Sequence, residues 1–454
     1  MGRCSRGERG HFLWAYIQGE ARGQQALFPS TLEDLIPAGH VCRVIEAFVA
    51  KLDVAALGFV RAEPAETGRP GYDPRDLLKL YLYGYLQQVR SSRRLEAECR
   101  RNVEVMWLLV RLTPDYKSIA EFRRVHREAV TAAGAELVRL ARQVGLVKGE
   151  WVALDGSKFR AVSSAQTVRE CEAVKRYLDQ LENADQQDEV IIDERAVAAA
   201  LEKLKNDPEP EARFMRMANG HAPAYNVQTA VDTEPAIIVA QQVTTEANDQ
   251  RSLLPMAEAA KQALGTPETL KVVGDAGYSN GEQAERCEAQ GIVPHAPTNR
   301  AINNKGDGTL FDRRLFLYDE KTDTFRCPAG QRLVRKQLSR KDRCVMYTAE
   351  AQVCGACAMK NRCTSTSRRW ITRHLHEGAL QRMNQRATEL MRLRRCTAER
   401  PFAVLKHVIL GNARFLLRGR DGAQIEISLA TLAYHLKTMI HVLGAYKLVC
   451  ALAN

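Results

Sequence analysis

The sequence predicts a mixed α/β protein with an all-helical N-terminal region. Two observations support this fold class. In the first 150 residues apolar side chains recur at helical spacing, whereas from Trp151 onward short strand-like apolar runs alternate with amphipathic helical segments. Hydrophobic residues make up 45% and charged residues 26% of the 454 positions, which excludes global disorder and is typical of a folded globular protein.

The N-terminal region contains recognisable helix starts. Asp73 is followed by Pro74, and an Asp cap with Pro in the first turn is a favourable beginning for a helix. The predicted helical segments are Leu32–Leu35, Val41–Leu57, Leu77–Val89, Arg93–Arg101, Val103–Leu112 and one long helix from about Ser118 to Val144. We expect these to form a compact helical domain over residues 1–149.

Strands and helices alternate over residues 150–300. The predicted strands are Trp151–Asp155, Tyr225–Asp232, Ile237–Val243, Leu270–Gly274 and Gly291–His295. The predicted helices are Leu253–Leu264 and Glu282–Gln290, together with a charged helical insertion near 167–210. This order predicts the first part of a mixed α/β layer.

Residues 301–373 break the pattern with polar, Gly-bearing and Cys-bearing sequence. A structureless stretch of that length inside a domain is improbable unless something clips it together. Helical periodicity resumes at about Leu375–Leu405, and a terminal helix is predicted over Leu429–Leu448. We therefore expect residues 301–373 to be an insertion and residues 374–454 to complete the core.

The charge pattern points towards a polyanionic partner. The net charge is +12, and two basic zones at 90–127 and 368–420 flank an acidic one at 179–212. A merely soluble basic protein is an equally good interpretation of composition alone. No apolar run of membrane-spanning length and no signal segment is visible, so we expect a cytoplasmic protein without a membrane partner.

Two carboxylates stand at the ends of predicted strands. Asp155 ends the first strand of the α/β region, and Asp275 follows a later one. If these strands are parallel neighbours, both carboxylates emerge at the same sheet edge, where oxygen ligands suit Mg²⁺. A third carboxylate is expected, and Glu399 is the best candidate, because Arg395 and Lys406 share its helical face.

Several motifs then give a specific resemblance. They are Asp155-Gly-Ser-Lys-Phe-Arg-Ala, Tyr225-Asn-Val-Gln-Thr-Ala-Val-Asp232, Gly274-Asp-Ala-Gly-Tyr278 and Glu399-Arg-Pro-Phe402, with Tyr72-Asp-Pro-Arg75 and Ile119-Ala-Glu-Phe-Arg123 nearer the N-terminus. In this order, over about residues 30–440, the chain resembles bacterial insertion-sequence transposases of the DDE class.

The resemblance implies a fold, an activity and a set of catalytic residues. The implied core is RNase H-like, and the implied reaction is metal-dependent cleavage at transposon ends followed by strand transfer into target DNA. Asp155, Asp275 and Glu399 would be the catalytic triad holding two Mg²⁺ or Mn²⁺ ions. Arg395 and Lys406 match the Arg-x3-Glu-x6-Lys part of a longer signature, in which Arg392 stands where a Tyr is expected.

The cysteines of the insertion predict a structural zinc site. Cys327, Cys354, Cys357 and Cys363 lie in the irregular segment, and the Cys354–Cys357 CxxC can place two sulfurs on one ion. Bound zinc would supply the clip that the insertion needs. The resemblance strengthens this hypothesis, because many such transposases carry a Cys-rich insertion; the alternative is four reduced, unligated thiols.

A cluster of arginines near a predicted helix start is the candidate DNA-binding surface. It consists of Arg93, Arg94, Arg100 and Arg101. A solvated helix with intrahelical ion pairs is an equally good interpretation of the pattern, and the resemblance favours DNA. Asn226 is a further candidate for a DNA contact or for support of the site, with a purely structural role as its alternative.

The implied partners are the terminal inverted repeats of a transposon and the target DNA, with a homodimer in the synaptic complex and a nucleoid-associated location.

Two other functions remain open at this point. One is a non-catalytic, sequence-specific DNA-binding regulator, and the other is a zinc-stabilised nuclease that cuts without joining. The presence of all three acids favours the enzyme over the regulator.

Overall fold

The computed structural model describes residues 31–63, 71–184, 194–205, 209–218, 220–265, 267–298, 310–340, 343–387 and 391–453. Over these residues the chain is a mixed α/β protein with a helical N-terminal region and two sheets. The predicted fold class is confirmed at that level.

Helices make up the N-terminal region. In chain order they are α1 (Val41–Lys51), α2 (Pro74–Leu86), α3 (Ser92–Arg101), α4 (Val103–Leu108), α5 (Tyr116–Val125) and α6 (Arg127–Gln143). The Asp73 side chain caps α2 by accepting a hydrogen bond from the Arg75 N–H, as its position before Pro74 predicts. The single helix predicted from Ser118 to Val144 is wrong. It is broken at His126, whose Nδ1 lies 2.9 Å from the carbonyl oxygen of Phe122 and whose Nε2 lies 3.2 Å from that of Val60.

The larger sheet has six strands. These are β1 (Trp151–Arg160), β2 (Arg213–Met217), β3 (Gly220–Asp232), β4 (Ile238–Thr244), β5 (Leu270–Val273) and β6 (Ile292–His295). Its order is β2-β3-β1-β5-β6, with β4 also paired to β3. The pairs involving β3 are antiparallel, whereas β1, β5 and β6 run parallel. All five predicted strands form, and β2 is an addition that the sequence did not suggest. The predicted end of β1 at Asp155 is wrong, because the strand continues to Arg160 through its pairing with β3, and Asp155 lies within it.

Helices connect and cover this sheet. They are α7 (Ala165–Ala184), α8 (Glu194–Lys205), α9 (Leu253–Ala263) and α10 (Gly281–Ala289). The first two correspond to the predicted helical insertion, whose residues 185–193 and 206–208 lie outside the described part of the chain. The others lie within one or two residues of their predicted bounds.

The segment predicted to be irregular forms a sheet of its own. Its strands are β7 (Leu317–Asp319), β8 (Thr324–Arg326), β9 (Arg332–Ser339), β10 (Cys344–Thr348) and β11 (Trp370–His374), joined in the antiparallel order β11-β10-β9-β8-β7. Two short helices, α11 (Ala351–Gly355) and α12 (Lys360–Cys363), lie between β10 and β11. The expectation of irregular structure was wrong because Phe316, Phe325, Tyr347 and Ile371 bury a separate small core.

The C-terminal part is helical. It consists of α13 (Glu377–Ala387), α14 (Met391–Ala403), a π-helical segment at Val404–Ile409, α15 (Gly419–Leu443) and α16 (Ala445–Ala453). The terminal helix is longer at its start than predicted and is divided at Gly444, whose φ of 79° is readily adopted by glycine.

Among the described residues no single helix is long and apolar enough to cross a membrane. Only α15 and α16, which meet at a 108° bend, pass that test together.

Helix α15 joins the helical region to the sheet. It packs against α2, α6 and β4, so residues of both regions share one hydrophobic core. A buried ion pair lies at this junction. Arg90, just before α3, donates a hydrogen bond of 3.1 Å to Glu426 on α15. The Leu416 N–H also donates to Glu426, at 2.7 Å.

We predict that Glu426→Ala destabilises the fold by about 3–5 kcal/mol, because it leaves the Arg90 guanidinium buried without its partner. Urea unfolding at neutral pH measures this loss. Asp421→Ala is the matched control, since it removes an exposed ion pair between α15 and Arg127 and should cost less than about 1 kcal/mol. Equal losses in the two variants would contradict the prediction.

Candidate active site

The parallel pairing of β1 and β5 brings two carboxylates together. Ala153 is in register with Val273, so continuing both strands by two residues places Asp155 beside Asp275. Asp275 ends its strand by accepting a 2.7 Å hydrogen bond from the Gly277 N–H. The sequence predicts both carboxylates at one sheet edge if their strands are parallel neighbours. In the structure β1 and β5 are parallel neighbours.

One side chain bridges this pair. Arg394, on α14, donates from Nη2 to Asp155 Oδ1 at 2.6 Å and to Asp275 Oδ2 at 3.3 Å. Its Nε donates to the Leu154 carbonyl oxygen, and the side chain is only 8% exposed. A single nitrogen atom therefore contacts both carboxylates, and the space between them accommodates positive charge.

Burial and the neighbouring negative charge both disfavour ionisation of Asp155. Burial raises the pKa of Asp155 to about 6. The Arg394 guanidinium opposes that rise, and the charge of Asp275 adds to it. A cation between the two carboxylates is what favours their ionised forms at neutral pH.

A third acid, which the sequence argument missed, completes this corner. Asp249 follows β4, and its charge also raises the pKa of Asp155. A Cβ added to Gly156 would lie 2.5 Å from Asp249 Oδ1. A Cβ added to Gly277 would lie 2.8 Å from Asp275 Oδ1 and 3.4 Å from Asp249 Oδ2. The glycines beside both aspartates were the available signal, because they permit a third side chain to approach closely.

Buried amides hold Asp249 in place. Its Oδ1 accepts from Asn226 Nδ2 at 2.8 Å and from Gln228 Nε2 at 2.6 Å. The Tyr278 hydroxyl donates to Gln228 Oε1 at 2.5 Å and so fixes that amide. Asn226, a candidate DNA contact, is fully buried beneath the acids rather than on the surface. Its position favours the alternative of support for the site.

The predicted residues of α14 and its extension are only partly brought together. Glu399 is exposed and makes no hydrogen bond or ion pair with any residue that the structure describes. Its neighbour Ala398 packs against Ala153 and Val273, so α14 crosses β1 and β5 at the end of their parallel pairing. Lys406 donates to Ser157 Oγ at 2.6 Å. The side chain of Arg395 lies outside the described residues, and Arg394 is the arginine at the acids.

The arginine cluster on α3 is exposed, but half of it is paired. Arg100 donates to Glu96 at 2.7 Å, and Arg101 pairs with Glu98. Arg93 lies over the ring of Tyr116 at 5.2 Å. The surface therefore fits both interpretations of the sequence. Its C-terminal end carries intrahelical ion pairs, whereas Arg93 and Arg94 form no ion pair within the described part of the chain.

The four cysteines of the insertion line one small pocket beside the second sheet. They are Cys327, Cys354, Cys357 and Cys363. Burial raises the pKa of Cys363, Arg369 opposes that rise, and the other three thiols add to it. Around tetrahedral zinc, sulfur atoms are about 3.8 Å apart. The four sulfurs do not all lie within 4.8 Å of one another.

A different group within the described residues does have its ligand atoms that close. His40, Cys42 and Glu104 lie within 4.8 Å of one another in the helical region. His40 caps α1 by accepting from the Cys42 N–H, and Tyr83 donates to Glu104 at 2.8 Å. These contacts explain the group as a polar network that joins α1, α2 and α4.

Comparison with known proteins identifies the family. The family model described as Transposase domain (DUF772) matches residues 30–125, and that described as Transposase DDE domain matches residues 185–436. The second range includes Asp249, Asp275 and Glu399, and Asp155 precedes it. A search of curated proteins finds no match.

Among solved structures, one similar chain is in a piggyBac transposase synaptic complex with hairpin DNA. It is 8% identical, the match covers 91% of this chain and 78% of that one, and the TM-score is 0.29. The Transposase DDE domain model spans more than half of this chain. The chain therefore belongs to the DDE transposases, enzymes that cleave DNA and transfer its strands during transposition.

Proposed function

We propose that transposition chemistry takes place where the parallel pairing of β1 and β5 ends, with Asp155 and Asp275 as ligands of divalent cations. The observation that supports this most strongly is the shared contact with Arg394, because it requires the two carboxylate oxygens to face one small space. DDE transposases generally use divalent metal ions. Paired aspartate oxygens suit Mg²⁺, or Mn²⁺, better than a soft metal.

Two such ions fit the chemistry that the family performs. Bound there, they would activate a water molecule or a 3′-hydroxyl and stabilise the charge that develops on the phosphate. Glu399 is proposed as the third acid, since α14 crosses the same strand ends through Ala398. Its exposed carboxylate would need to turn towards the aspartates to join them.

The chain's own cations would handle the DNA phosphates. Lys406 contacts Ser157, two residues beyond Asp155, and Lys158 Nζ lies 3.8 Å from Asp249. Burial lowers the pKa of both lysines. A phosphodiester drawn to these ammonium groups would lie beside the carboxylates, and Arg395 would add a further contact from α14.

The strand order supports an RNase H-like core. The antiparallel β4-β3-β1 unit is followed by β5 and β6, which are added in parallel on the other side of β1. This order makes β1 central and puts the ends of β1 and β5 next to each other. We also propose that residues 1–149 form a helical domain, that residues 150–300 and 374–454 form the core, and that residues 301–373 are an insertion in it.

A structural zinc ion in the second sheet is also proposed. Four thiols around one pocket are a chemically suitable donor set for zinc. The ion would tie β8 to the loop that carries α11 and α12.

The DNA substrates would be transposon terminal inverted repeats and target DNA, bound by a homodimer at the bacterial nucleoid. Arg93 and Arg94 support a DNA-facing role for the start of α3. A regulator without catalysis is disfavoured by the intact aspartate pair. A nuclease that cuts without joining is distinguished by experiment.

We predict that Asp155→Asn and Asp275→Asn each reduce cleavage and strand transfer by at least about a hundredfold, because lost metal charge is worth several kcal/mol. Glu399→Gln should behave in the same way. The assay uses purified protein, Mg²⁺ or Mn²⁺ and DNA carrying the flanking terminal repeats.

Glu234→Gln is the control for these variants, since Glu234 forms an exposed ion pair with Lys148 away from the acids. Full activity of Asp155→Asn would refute the assignment of the centre. Cleavage by the unaltered protein without joined products would favour the nuclease, and binding without cleavage would favour the regulator.

We predict that replacing both Arg93 and Arg94 with Ala weakens DNA binding. The slope of log affinity against log salt should fall by about 0.9 for each lost phosphate contact. Fluorescence anisotropy at several salt concentrations measures it. Arg139→Ala is the control, because it removes an exposed arginine on α6 that pairs with Glu136. An unchanged slope would remove this surface from the DNA interface.

We predict one zinc ion per chain after gentle purification, and its loss in Cys354→Ser and Cys357→Ser. Loss of the ion should destabilise residues 327–363 locally, because zinc binding is coupled to folding. Metal analysis and hydrogen exchange measure the two effects. Cys344→Ser, on β10, should retain zinc. A zinc-free native protein would contradict the proposal.

A further inference from the structure

We propose that Asp249 is an additional ligand of the divalent cation at Asp155 and Asp275. This inference rests on the proposed function. It assigns a metal-binding role to a residue outside the acids that the resemblance implies, and it places a third carboxylate at the centre without any movement of Glu399.

The position of Asp249 is the first argument. Its Oδ1 lies 2.5 Å from the point that a Cβ on Gly156 would occupy, directly after Asp155 in the chain. Its Oδ2 lies 3.4 Å from the corresponding point on Gly277, which is only 2.8 Å from Asp275 Oδ1. The Asp249 carboxylate therefore lies against the backbone beside Asp155, and its second oxygen approaches the same point on Gly277 as the carboxylate of Asp275.

The hydrogen bonds of Asp249 are the second argument. Asn226 and Gln228 both donate to Oδ1. Within the described part of the chain, no donor contacts Oδ2. One oxygen is thus held by neutral amides while the other faces the space shared with Asp275. Ligating carboxylates in metal sites are oriented in this way by hydrogen bonds from neighbouring side chains.

A buried acceptor beside the acids is the third argument. Asn226 is fully buried, and among the residues described its Oδ1 has no hydrogen-bond partner. Its orientation is fixed, because Nδ2 donates both to Asp249 and to the carbonyl oxygen of Glu246. A buried acceptor left without a donor is costly, and a water molecule bound to a cation at Asp249 would supply one.

The competing explanation is that Asp249 only balances the charge of Lys158. Their separation of 3.8 Å is long for a close ion pair, and Asp249 makes two shorter contacts with neutral amides. Charge balance also does not require the glycines at 156 and 277, which leave room for the carboxylate beside both aspartates.

The experiment measures Mn²⁺ binding to the full-length protein without DNA. Asp249→Asn should raise the Mn²⁺ dissociation constant at least about tenfold, because a neutral amide replaces one of the charged oxygen ligands. Unfolding in EDTA should stay close to that of the unaltered protein, since Asn is nearly isosteric. Glu246→Gln, in the same loop, is the matched control and should retain Mn²⁺ affinity.

A second measurement does not depend on a variant that folds. Fe²⁺ bound in place of Mn²⁺, with ascorbate and peroxide, cleaves backbone close to its ligands. Cuts near residues 155, 249 and 275 are expected in the unaltered protein. Cuts near 155 and 275 but not 249, or unchanged Mn²⁺ affinity in Asp249→Asn, would overturn the proposal.

Asp155→Asn separates this inference from the proposed function. If it weakens Mn²⁺ binding and Asp249→Asn does not, the inference about Asp249 fails and the centre stands. If Asp155→Asn leaves Mn²⁺ affinity unchanged, the proposed centre fails as well.

Discussion

The constraint on which the site depends is the repulsion between carboxylates gathered at one sheet edge. Parallel pairing of β1 and β5 places Asp155 and Asp275 side by side, and Asp249 approaches from the loop after β4. Negative charges at this separation cannot all persist in a half-buried site unless positive charge lies between them. Arg394 supplies that charge in this structure, and the same electrostatic demand makes the position suitable for divalent cations.

The position of Arg394 depends in turn on α14. This helix lies across the strand ends because the small side chain of Ala398 packs against Ala153 and Val273. Close packing there brings the Arg394 side chain to the carboxylates. The helix then continues into the π-helical segment that carries Lys406. Packing of small residues and the charge balance of the acids are thus parts of one arrangement.

A second arrangement joins the helical region to the sheet. Helix α15 is buried along most of its length and contacts both parts, and the Arg90–Glu426 pair lies within that contact. A DNA-binding surface on α3 would therefore be connected to the acids through packed core rather than through a flexible linker. Such a connection would let the proposed DNA contacts of the helical region define where a phosphate meets the proposed centre.

The local pattern of the chain determined most of its elements. Apolar periodicity and the Asp73 cap predicted the helices and strands, and the motifs around Asp155, Asp275 and Glu399 indicated the family that the comparison identified. Predictions from the local pattern were wrong where contacts between residues far apart in the sequence determine the structure. His126 interrupts a helix by bonding to Val60, and residues 310–374 form a sheet only because scattered aromatic residues meet in a separate core.

The sequence by itself identified Asp155 and Asp275, because each follows an apolar run that is typical of a strand. It did not show that β1 continues past Asp155 to Arg160. The tertiary structure alone decided that Asp249 joins them, that Arg394 contacts Asp155 and Asp275, and that Asn226 lies beneath them. These choices depend on register, helix rotation and the free space beside glycine. Such properties arise only when distant parts of the chain pack together.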